Sequence, residues 1–352
     1  MKKYDNIVPV DFWNPDPAVI ARAAALIRAG ELVAFPTETV YGLGGNALDG
    51  EAVKKIYAAK GRPSDNPLIL HFPSPEAVER AAFVDDRARR LMARFWPGPL
   101  TIILNKKKEV PHGTTGGLNT VAIRMPSHPV AQALIRESGC MIAAPSANTS
   151  GRPSPTTAAH VMEDMQGRIP MILDGGAVGI GIESTILDLT GEIPMILRPG
   201  YITKEMLEKV AGAVDIDPAV AGKQMPENVV AKAPGMKYRH YAPKGSLVLV
   251  EGPEDKVIEK INALTEEKTR LGYKVGVLGT DETLEKYRAG WRRSIGSREC
   301  PDSVAAHLYG LLRECDEQEL DYIYSESFFA DGLGNAIMNR MLKAAGYHLI
   351  SL

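Results

Sequence analysis

The chain has 352 residues, 45% of them hydrophobic and 24% charged, which is the composition of an ordinary globular protein with room for two domains. Its formal net charge of -2 excludes general nucleic-acid binding through overall charge, although it leaves room for a local basic patch. The three cysteines form no CxxC pair, which argues against a disulfide framework or zinc knuckle and predicts a reducing compartment.

Neither a targeting segment nor a membrane span is predicted. The N-terminal stretch MKKYDNIVPVDFWNPD has no apolar segment after its lysines. No apolar run approaches the roughly 18 residues that a membrane-spanning helix needs. We therefore expect a cytoplasmic protein without membrane contact.

Helices and strands alternate over the first 210 residues. The first helix is predicted in DPAVIARAAALIRAGE, with Asp16 as its cap, Pro17 at its first position and Gly30 at its end. An apolar strand follows and is expected to break into a glycine-rich turn at GLGGNA. That turn formally fits the dinucleotide pattern GxGxxA, but no acidic residue is placed for a ribose. Tight turning or close backbone approach also explains its glycines.

Later segments continue the alternation. Predicted helices lie in EAVKKIYAAKG, PEAVERAAFVDDRARRLMARFW, PVAQALIRESG and TKEMLEKVAG. Predicted strands lie in PLILHF, PLTIILN, TVAIRMP, CMIAA, MILDGG and STILDL. Several strand pairs have no helix between them, which predicts an α/β domain with a mixed sheet.

The organisation changes after residue 210. Residues 211–244 contain four prolines and little periodicity, and we interpret them as a linker long enough to suggest a function. Residues 245–352 return to a regular βαβ alternation, which predicts a small doubly wound, Rossmann-like domain. The expected domains are therefore 1–210 and 245–352.

The segment KGRPSDNPLILH concentrates cationic and polar side chains between two prolines. Lys60 lies at a predicted helix end, where a cation also complements the helix dipole. Arg62 is held by Pro63, and its guanidinium fork suits phosphate. Asn66 is pushed toward an extended conformation by the following proline. His71 alternates out of an apolar strand, where a lone histidine is more often a satisfied core residue than a ligand contact.

Two further loops carry hydroxyl and amide groups at strand ends. The loop PSANTSG follows an apolar strand and contains Ser146 and Asn148, which suit phosphate or ribose oxygens, although a solvated polar loop has the same composition. PTETVYG places Thr37, Glu38 and Thr39 at another strand end, where either a ligand or local hydrogen bonding explains them. The linker motif PGMKYRHYAP interleaves aromatic and basic residues, as suits a base, phosphate or RNA.

These motifs occur in the order found in a known family. KGRP with NPLILH, then PSANTSG, STILDL and RPG, resembles the threonylcarbamoyl-AMP synthase family, and the linker motif resembles its long two-domain form. The KxR and SxN constellation of that family is matched by Lys60, Arg62, Ser146 and Asn148. The resemblance implies a YrdC-like twisted mixed sheet in a catalytic domain over 1–210, a linker or lid over 211–244, and a C-terminal Rossmann-like domain.

The resemblance implies a nucleotidyltransferase that makes L-threonylcarbamoyl-AMP from L-threonine, bicarbonate and ATP, releasing diphosphate. Magnesium is expected with the ATP, without direct protein ligands. The product would serve threonylcarbamoyl-adenosine modification of tRNA next to the anticodon, through partner proteins that use it. Weak direct contact with tRNA is a further expectation.

The resemblance also implies roles for individual residues, with Lys60, Arg62, Ser146 and Asn148 catalytic. The expected ATP contacts are Lys60, Arg62, Asn66, Thr120, Ser146, Asn148, Ser154, Arg198 and Tyr238. The expected threonine contacts are Thr39, His71, Arg124, Ala144 and Ser184. An RNA-binding module and a carbamoyl-transfer module with another acceptor remain the alternatives.

Overall fold

The structure is a computed structural model that describes residues 6–218, 220, 232–234, 240–328 and 331–352. The chain divides into two compact units. The second unit contains everything from position 238 onward, together with the short segments Gly151–Pro153 and Ile180–Ile182; the first unit contains the rest. Within the described ranges, none of the helices combines the length and apolar character that crossing a bilayer requires.

The first unit is built on a mixed sheet. Its strands within the described residues are β1 (Ile7–Pro9), β2 (Val33–Pro36), β3 (Tyr41–Asn46), β4 (Ile69–His71), β5 (Leu100–Asn105), β6 (Thr120–Arg124), β7 (Ile142–Ala143), β8 (Met171–Asp174), β9 (Thr185–Asp188), β10 (Met195–Arg198) and β11 (Asp215–Ile216). Their order across the sheet is β1-β8-β2-β3-β7-β4-β6-β5-β9-β10-β11. Strand β4 pairs parallel to β6 and antiparallel to β7, so the predicted mixed sheet is confirmed.

Helices flank this sheet. They are α1 (Pro17–Arg28), α2 (Gly50–Lys60), α3 (Asp86–Phe95), α4 (Pro129–Ser138), α5 (Ala158–Met165) and α6 (Lys204–Ala211). The predicted cap of α1 is confirmed, because the Asp16 carboxylate accepts a hydrogen bond from the backbone of Ala18 at 2.8 Å. Gly61 caps the C-terminus of helix α2, and its left-handed φ of +60° stops the helix and turns the chain toward Arg62.

Two local predictions were wrong. The segment GLGGNA is part of strand β3 rather than a turn. Its glycines allow close packing, since a Cβ on Gly44 would lie 2.7 Å from a ring carbon of Phe35 and 2.9 Å from a methyl of Ile142. The single long helix predicted in PEAVERAAFVDDRARRLMARFW is a 3-10 turn followed by α3, because Asp85 caps a new helix by accepting a hydrogen bond from Ala88.

Apolar side chains pack on both faces of the sheet, where they belong to different buried clusters. Leu68, Leu70 and Ile123 belong to the largest buried cluster. Ile69 and Ala122, which alternate with them, belong to a smaller cluster that also contains Ile186, Leu197 and Ala233. Because alternate strand residues share a face, His71, Thr120 and Arg124 lie on the face of this smaller cluster.

The second unit contains a parallel sheet and three helices in its described part. The strands are β12 (Ser246–Glu251), β13 (Val275–Gly279), β14 (Trp291–Ser294), β15 (Tyr322–Glu326) and β16 (Leu349–Ser351), in the order β14-β13-β15-β12-β16. The helices are α7 (Glu254–Arg270), α8 (Pro301–Glu317) and α9 (Gly332–Ala344). Every strand pair is parallel, which confirms the Rossmann-like α/β architecture.

Candidate functional site

The Lys60 side chain joins the two sequence motifs. Lys60 is the last residue of α2 and is only 1% exposed. Its ammonium donates to the backbone oxygens of Ser146 and Asn148, each at 2.5 Å, and lies 3.5 Å from the Asn148 amide oxygen. The Lys60 carbonyl in turn accepts a hydrogen bond from the Ser150 backbone at 2.8 Å. The helix end therefore holds the polar loop in one conformation through charge-assisted hydrogen bonds.

Arg62 and Asn66 form a compact turn after α2. The Arg62 guanidinium donates to the backbone oxygens of Asn66 and Pro67, at 3.4 and 3.0 Å. The Asn66 amide oxygen is buried and has no hydrogen-bond partner within the part of the chain that the structure describes. An unsatisfied buried acceptor costs about 1–3 kcal/mol, which a donor on a bound ligand would relieve.

A buried ion pair anchors the turn between β2 and β3. Arg124, at the end of β6, donates to a carboxylate oxygen of Glu38 at 2.6 Å, and the other carboxylate oxygen accepts from the backbone of Ser127 at 3.0 Å. The two side chains are 5% and 14% exposed. Thr39, in the same turn, is buried, and its hydroxyl lies 2.9 Å from that of Thr37.

His71 is a neutral, buried imidazole beside this ion pair. It ends β4 directly opposite Arg124 in the parallel register. Burial and, secondarily, the positive charge of Arg124 lower the pKa of His71 to about 3. Its Nδ1 lies 3.2 Å from the Ile69 carbonyl, so it serves as a polar but uncharged group at physiological pH.

A second polar cluster lies at the start of β9 and the end of β10. Arg198 donates to the backbone oxygen of Ser184 at 3.0 Å and to its hydroxyl at 3.1 Å. The Ser184 hydroxyl also lies 2.7 Å from the hydroxyl of Thr101, which pairs with Arg124 across the sheet. Four predicted ligand contacts, His71, Arg124, Ser184 and Arg198, are thus brought to one edge of the sheet.

The remaining predicted residues are distributed around this arrangement. Ser154 is buried and donates to a carboxylate oxygen of Glu183 at 2.5 Å, one residue before Ser184. Ala144 follows β7, and its backbone donates to the Ile69 carbonyl at 2.9 Å. Thr120 starts β6, at the opposite end of that strand from Arg124 and roughly 13 Å away at about 3.3 Å per residue. Tyr238 lies outside the described residues.

Sequence reasoning missed two acidic side chains. Glu38 was recognised only as part of a turn, yet it is the partner of Arg124. Glu183 was not singled out, although it accepts the hydrogen bond of Ser154. A buried carboxylate next to serines or threonines is hard to recognise in a sequence, because its arginine or serine partner lies far along the chain.

Comparison with known proteins places this arrangement in a family. A family model described as "Telomere recombination" matches residues 25–200, and one described as "Threonylcarbamoyl-AMP synthase, C-terminal domain" matches residues 202–346. A threonylcarbamoyl-AMP synthase of Bacillus subtilis is 52% identical over 333 residues, which cover 94% of each chain. The chain belongs to the threonylcarbamoyl-AMP synthase family. Members of this family are enzymes, and the resemblance noted in the sequence is confirmed.

A threonylcarbamoyl-AMP synthase of Pyrococcus abyssi is 51% identical over 331 residues, covering 94% of this chain and 95% of the relative. The crystal structure of Pyrococcus abyssi Sua5 complexed with L-threonine superposes with a TM-score of 0.93 at 50% identity. The match covers 98% of this chain and 99% of that one. The family fold is therefore shared over nearly the whole chain.

Among the described residues, no group of three or more His, Cys, Asp or Glu side chains is arranged to hold a metal ion. Besides the His71 imidazole and the carboxylates of Glu38 and Glu183, the polar side chains of the site are hydroxyls, amides, arginines and one lysine. Such a set matches a ligand that carries its own negative charge.

Proposed function

We propose that this enzyme makes L-threonylcarbamoyl-AMP from L-threonine, bicarbonate and ATP, with release of diphosphate. The observation that carries the proposal is the Lys60 ammonium bound between the carbonyls of Ser146 and Asn148. These bonds unite motifs that lie 86 and 88 residues apart along the chain. The bonds hold the cation of Lys60 against a loop that carries hydroxyl and amide groups. Such an arrangement suits a triphosphate in a protein without a P-loop.

The reaction consists of two balanced steps, a condensation that expels water and a displacement that expels diphosphate. The amine of threonine attacks bicarbonate carbon, which expels water and gives an N-carboxylate. An oxygen of that carboxylate then attacks the α-phosphorus of ATP, the bond to the β-phosphate oxygen breaks, and diphosphate leaves. The transferred group is adenylyl, so the activity is that of a nucleotidyltransferase. The chemistry requires alignment and charge neutralisation rather than a covalent enzyme nucleophile.

For the threonine half-site, we propose that Arg124 binds the substrate carboxylate. A guanidinium can bind two carboxylate oxygens at once, and Glu38 already fixes its plane. The neutral imidazole of His71 and the hydroxyls of Thr39 and Ser184 suit the uncharged polar groups of threonine. Ala144 would line this half-site through its backbone.

For the nucleotide half-site, Lys60 and Arg62 supply positive charge, and Ser146 and Asn148 supply hydrogen bonds to phosphate oxygens. Asn66, Thr120, Ser154 and Arg198 are the further nucleotide contacts in this proposal. Magnesium would arrive with the triphosphate, since Mg²⁺ in such sites is held largely by substrate phosphates and water. Its chemistry there is neutralisation of phosphate charge.

The test is diphosphate release from ATP by the purified protein, with L-threonine and bicarbonate present together or omitted singly. We expect release only when both are present. Release that is indifferent to threonine would indicate another carbamoyl acceptor. Absence of release, together with tRNA affinity that falls steeply with salt, would indicate an RNA-binding module instead. The destination of the product, tRNA modification through partner proteins, belongs to the same proposal.

The Arg124→Lys variant tests the threonine half-site. It retains a positive charge but loses the planar fork, so we expect the KM for threonine to rise on the order of tenfold or more. The KM for ATP should stay within about twofold of wild type. Arg136→Lys, at an exposed arginine on α4, is the control with the same chemical change and should change neither constant. An unchanged KM for threonine in Arg124→Lys would contradict the assignment.

A further inference from the structure

A cavity of about 180 Å³ lies within the second unit, away from every residue assigned above. Its walls include Val250 and Gly252 at the end of β12, and Glu326 and Ser327 at the end of β15. Val257, on the first turns of α7, adds a further apolar wall. The cavity therefore opens at the carboxyl ends of two neighbouring parallel strands.

The topology makes this position the crevice of the sheet. Strand β12 leads through α7 to β13, which lies beyond β15 in the order β14-β13-β15-β12-β16. Strand β15 leads through α9 to β16, on the other side of β12. The two connections thus leave adjacent strands in opposite directions. In open α/β sheets ligands bind at this switch point, outside the carboxyl ends of the strands.

A buried carboxylate organises the polar side of the cavity. Glu326 is 2% exposed, and one of its oxygens accepts hydrogen bonds from the Thr280 backbone at 3.0 Å, the Tyr287 hydroxyl at 3.3 Å, and the Thr283 hydroxyl. Its other oxygen accepts from the guanidinium of Arg298. With four donors around it, Glu326 serves to orient neighbours rather than to bind a ligand itself.

Arg298 is the group that this network presents to the cavity. Its guanidinium also donates to the Ser327 carbonyl at 2.9 Å, and 26% of its side chain remains exposed. An arginine whose guanidinium is already fixed by two acceptors loses less conformational entropy when it binds an anion. The positive end of the α7 dipole lies at the same mouth. The carboxylate of Glu254, which also lines the cavity, is paired with the ammonium of Lys286 at 2.6 Å.

The size and walls of the cavity narrow the chemistry of the ligand. At about 30 Å³ per water in the liquid, the cavity holds roughly six water-sized groups, which is too small for a nucleotide. Val250 and Val257 offer a short apolar surface opposite the polar network. A carboxylate on a short chain matches both sides.

We propose that this cavity binds a small carboxylic acid, either an α-amino acid or a free organic acid of similar size. Its carboxylate contacts Arg298, and its chain lies against Val250 and Val257. The proposal is independent of the synthase function, because it involves no residue of the first unit.

The test uses the full chain with ¹³C-labelled valine methyl groups, followed by NMR. The Val250 and Val257 methyls report on the cavity wall itself, so binding elsewhere in the protein is distinguished. L-threonine, L-alanine and L-lactate are each titrated to roughly 50 mM, above the millimolar range expected for so small a ligand. We expect saturable shifts of both methyls. Shifts with the amino acids alone identify that source, and shifts with lactate as well identify the carboxylate as sufficient.

Three variants sharpen the result. Arg298→Ala should weaken binding on the order of tenfold or more, because it removes the charged partner. Val257→Leu narrows the cavity without touching the Arg298–Glu326 pair and should weaken binding several-fold, so the test does not depend on the folding of Arg298→Ala. Arg288→Ala, at an exposed arginine paired with Glu266, is the matched control and should bind as wild type does. Absence of shifts with all three acids, or wild-type affinity in both cavity variants, would overturn the proposal.

Discussion

Replacement of Lys60 tests the contact on which the proposed nucleotide site depends. Lys60→Met keeps most of the aliphatic stem and removes the ammonium, leaving the carbonyls of Ser146 and Asn148 without their donor. A hydrogen bond to a charged group contributes about 1.5–3 kcal/mol, so two such bonds contribute roughly 3–6 kcal/mol. Part of this loss is offset because the variant no longer buries a charge. We expect the free energy of unfolding to fall by about 3 kcal/mol.

The effect on catalysis should be larger than the loss of folded protein explains. A displacement of the loop by about 1 Å is enough to cost on the order of 100-fold in rate where alignment is the main contribution. We expect kcat/KM for ATP to fall by roughly that factor at a temperature where the variant is still folded. Urea denaturation gives the stability, and diphosphate release gives the kinetics.

Lys54→Met is the matched control on the same helix. Lys54 is exposed and pairs with Glu51 at 2.7 Å, so its replacement should leave both the unfolding midpoint and kcat/KM unchanged. A Lys60→Met protein with wild-type stability would refute the anchoring of the loop. Lost stability with full kcat/KM would make Lys60 a purely structural residue and refute its place in the phosphate site.

Two further predictions concern stability. The depressed pKa of His71, about 3 against an ordinary value near 6.5, means that the unfolded chain takes up a proton below pH 6.5 while the folded chain does not. The wild type should therefore lose about 2 kcal/mol more of its unfolding free energy than His71→Asn between pH 7 and pH 5; equal losses in the two proteins would show that His71 titrates normally. Gly44→Ala should destabilise the first unit by about 1–3 kcal/mol, since its Cβ would overlap Phe35, whereas Gly50→Ala, where no atom lies within 4 Å, should be tolerated. Equal stability of the two alanine variants in urea would contradict the close-packing explanation for β3.

Much of the fold followed from local patterns in the sequence. Apolar periodicity and capping residues such as Asp16 predicted the helices, and strand pairs without an intervening helix predicted a mixed sheet. The error at β3 arose because glycines were interpreted as flexible, while the contacts of Gly44 show that they are small. Whether a glycine turns the chain or admits a neighbour depends on residues that lie far away in the sequence.

For the candidate site as well, some features could be predicted from the sequence and others depend on the tertiary structure. The sequence by itself determined the residue types, because Lys60, Arg62, Ser146 and Asn148 occur in recognisable local motifs whose chemistry suits phosphate. Only the tertiary structure decided their partners. It directs the ammonium of Lys60 to backbone carbonyls of a loop 86 residues away, and it pairs Arg124 with Glu38. The physical reason is that residue type is a local property, whereas burial, hydrogen-bond partners and the resulting pKa values arise when distant strands meet in one sheet.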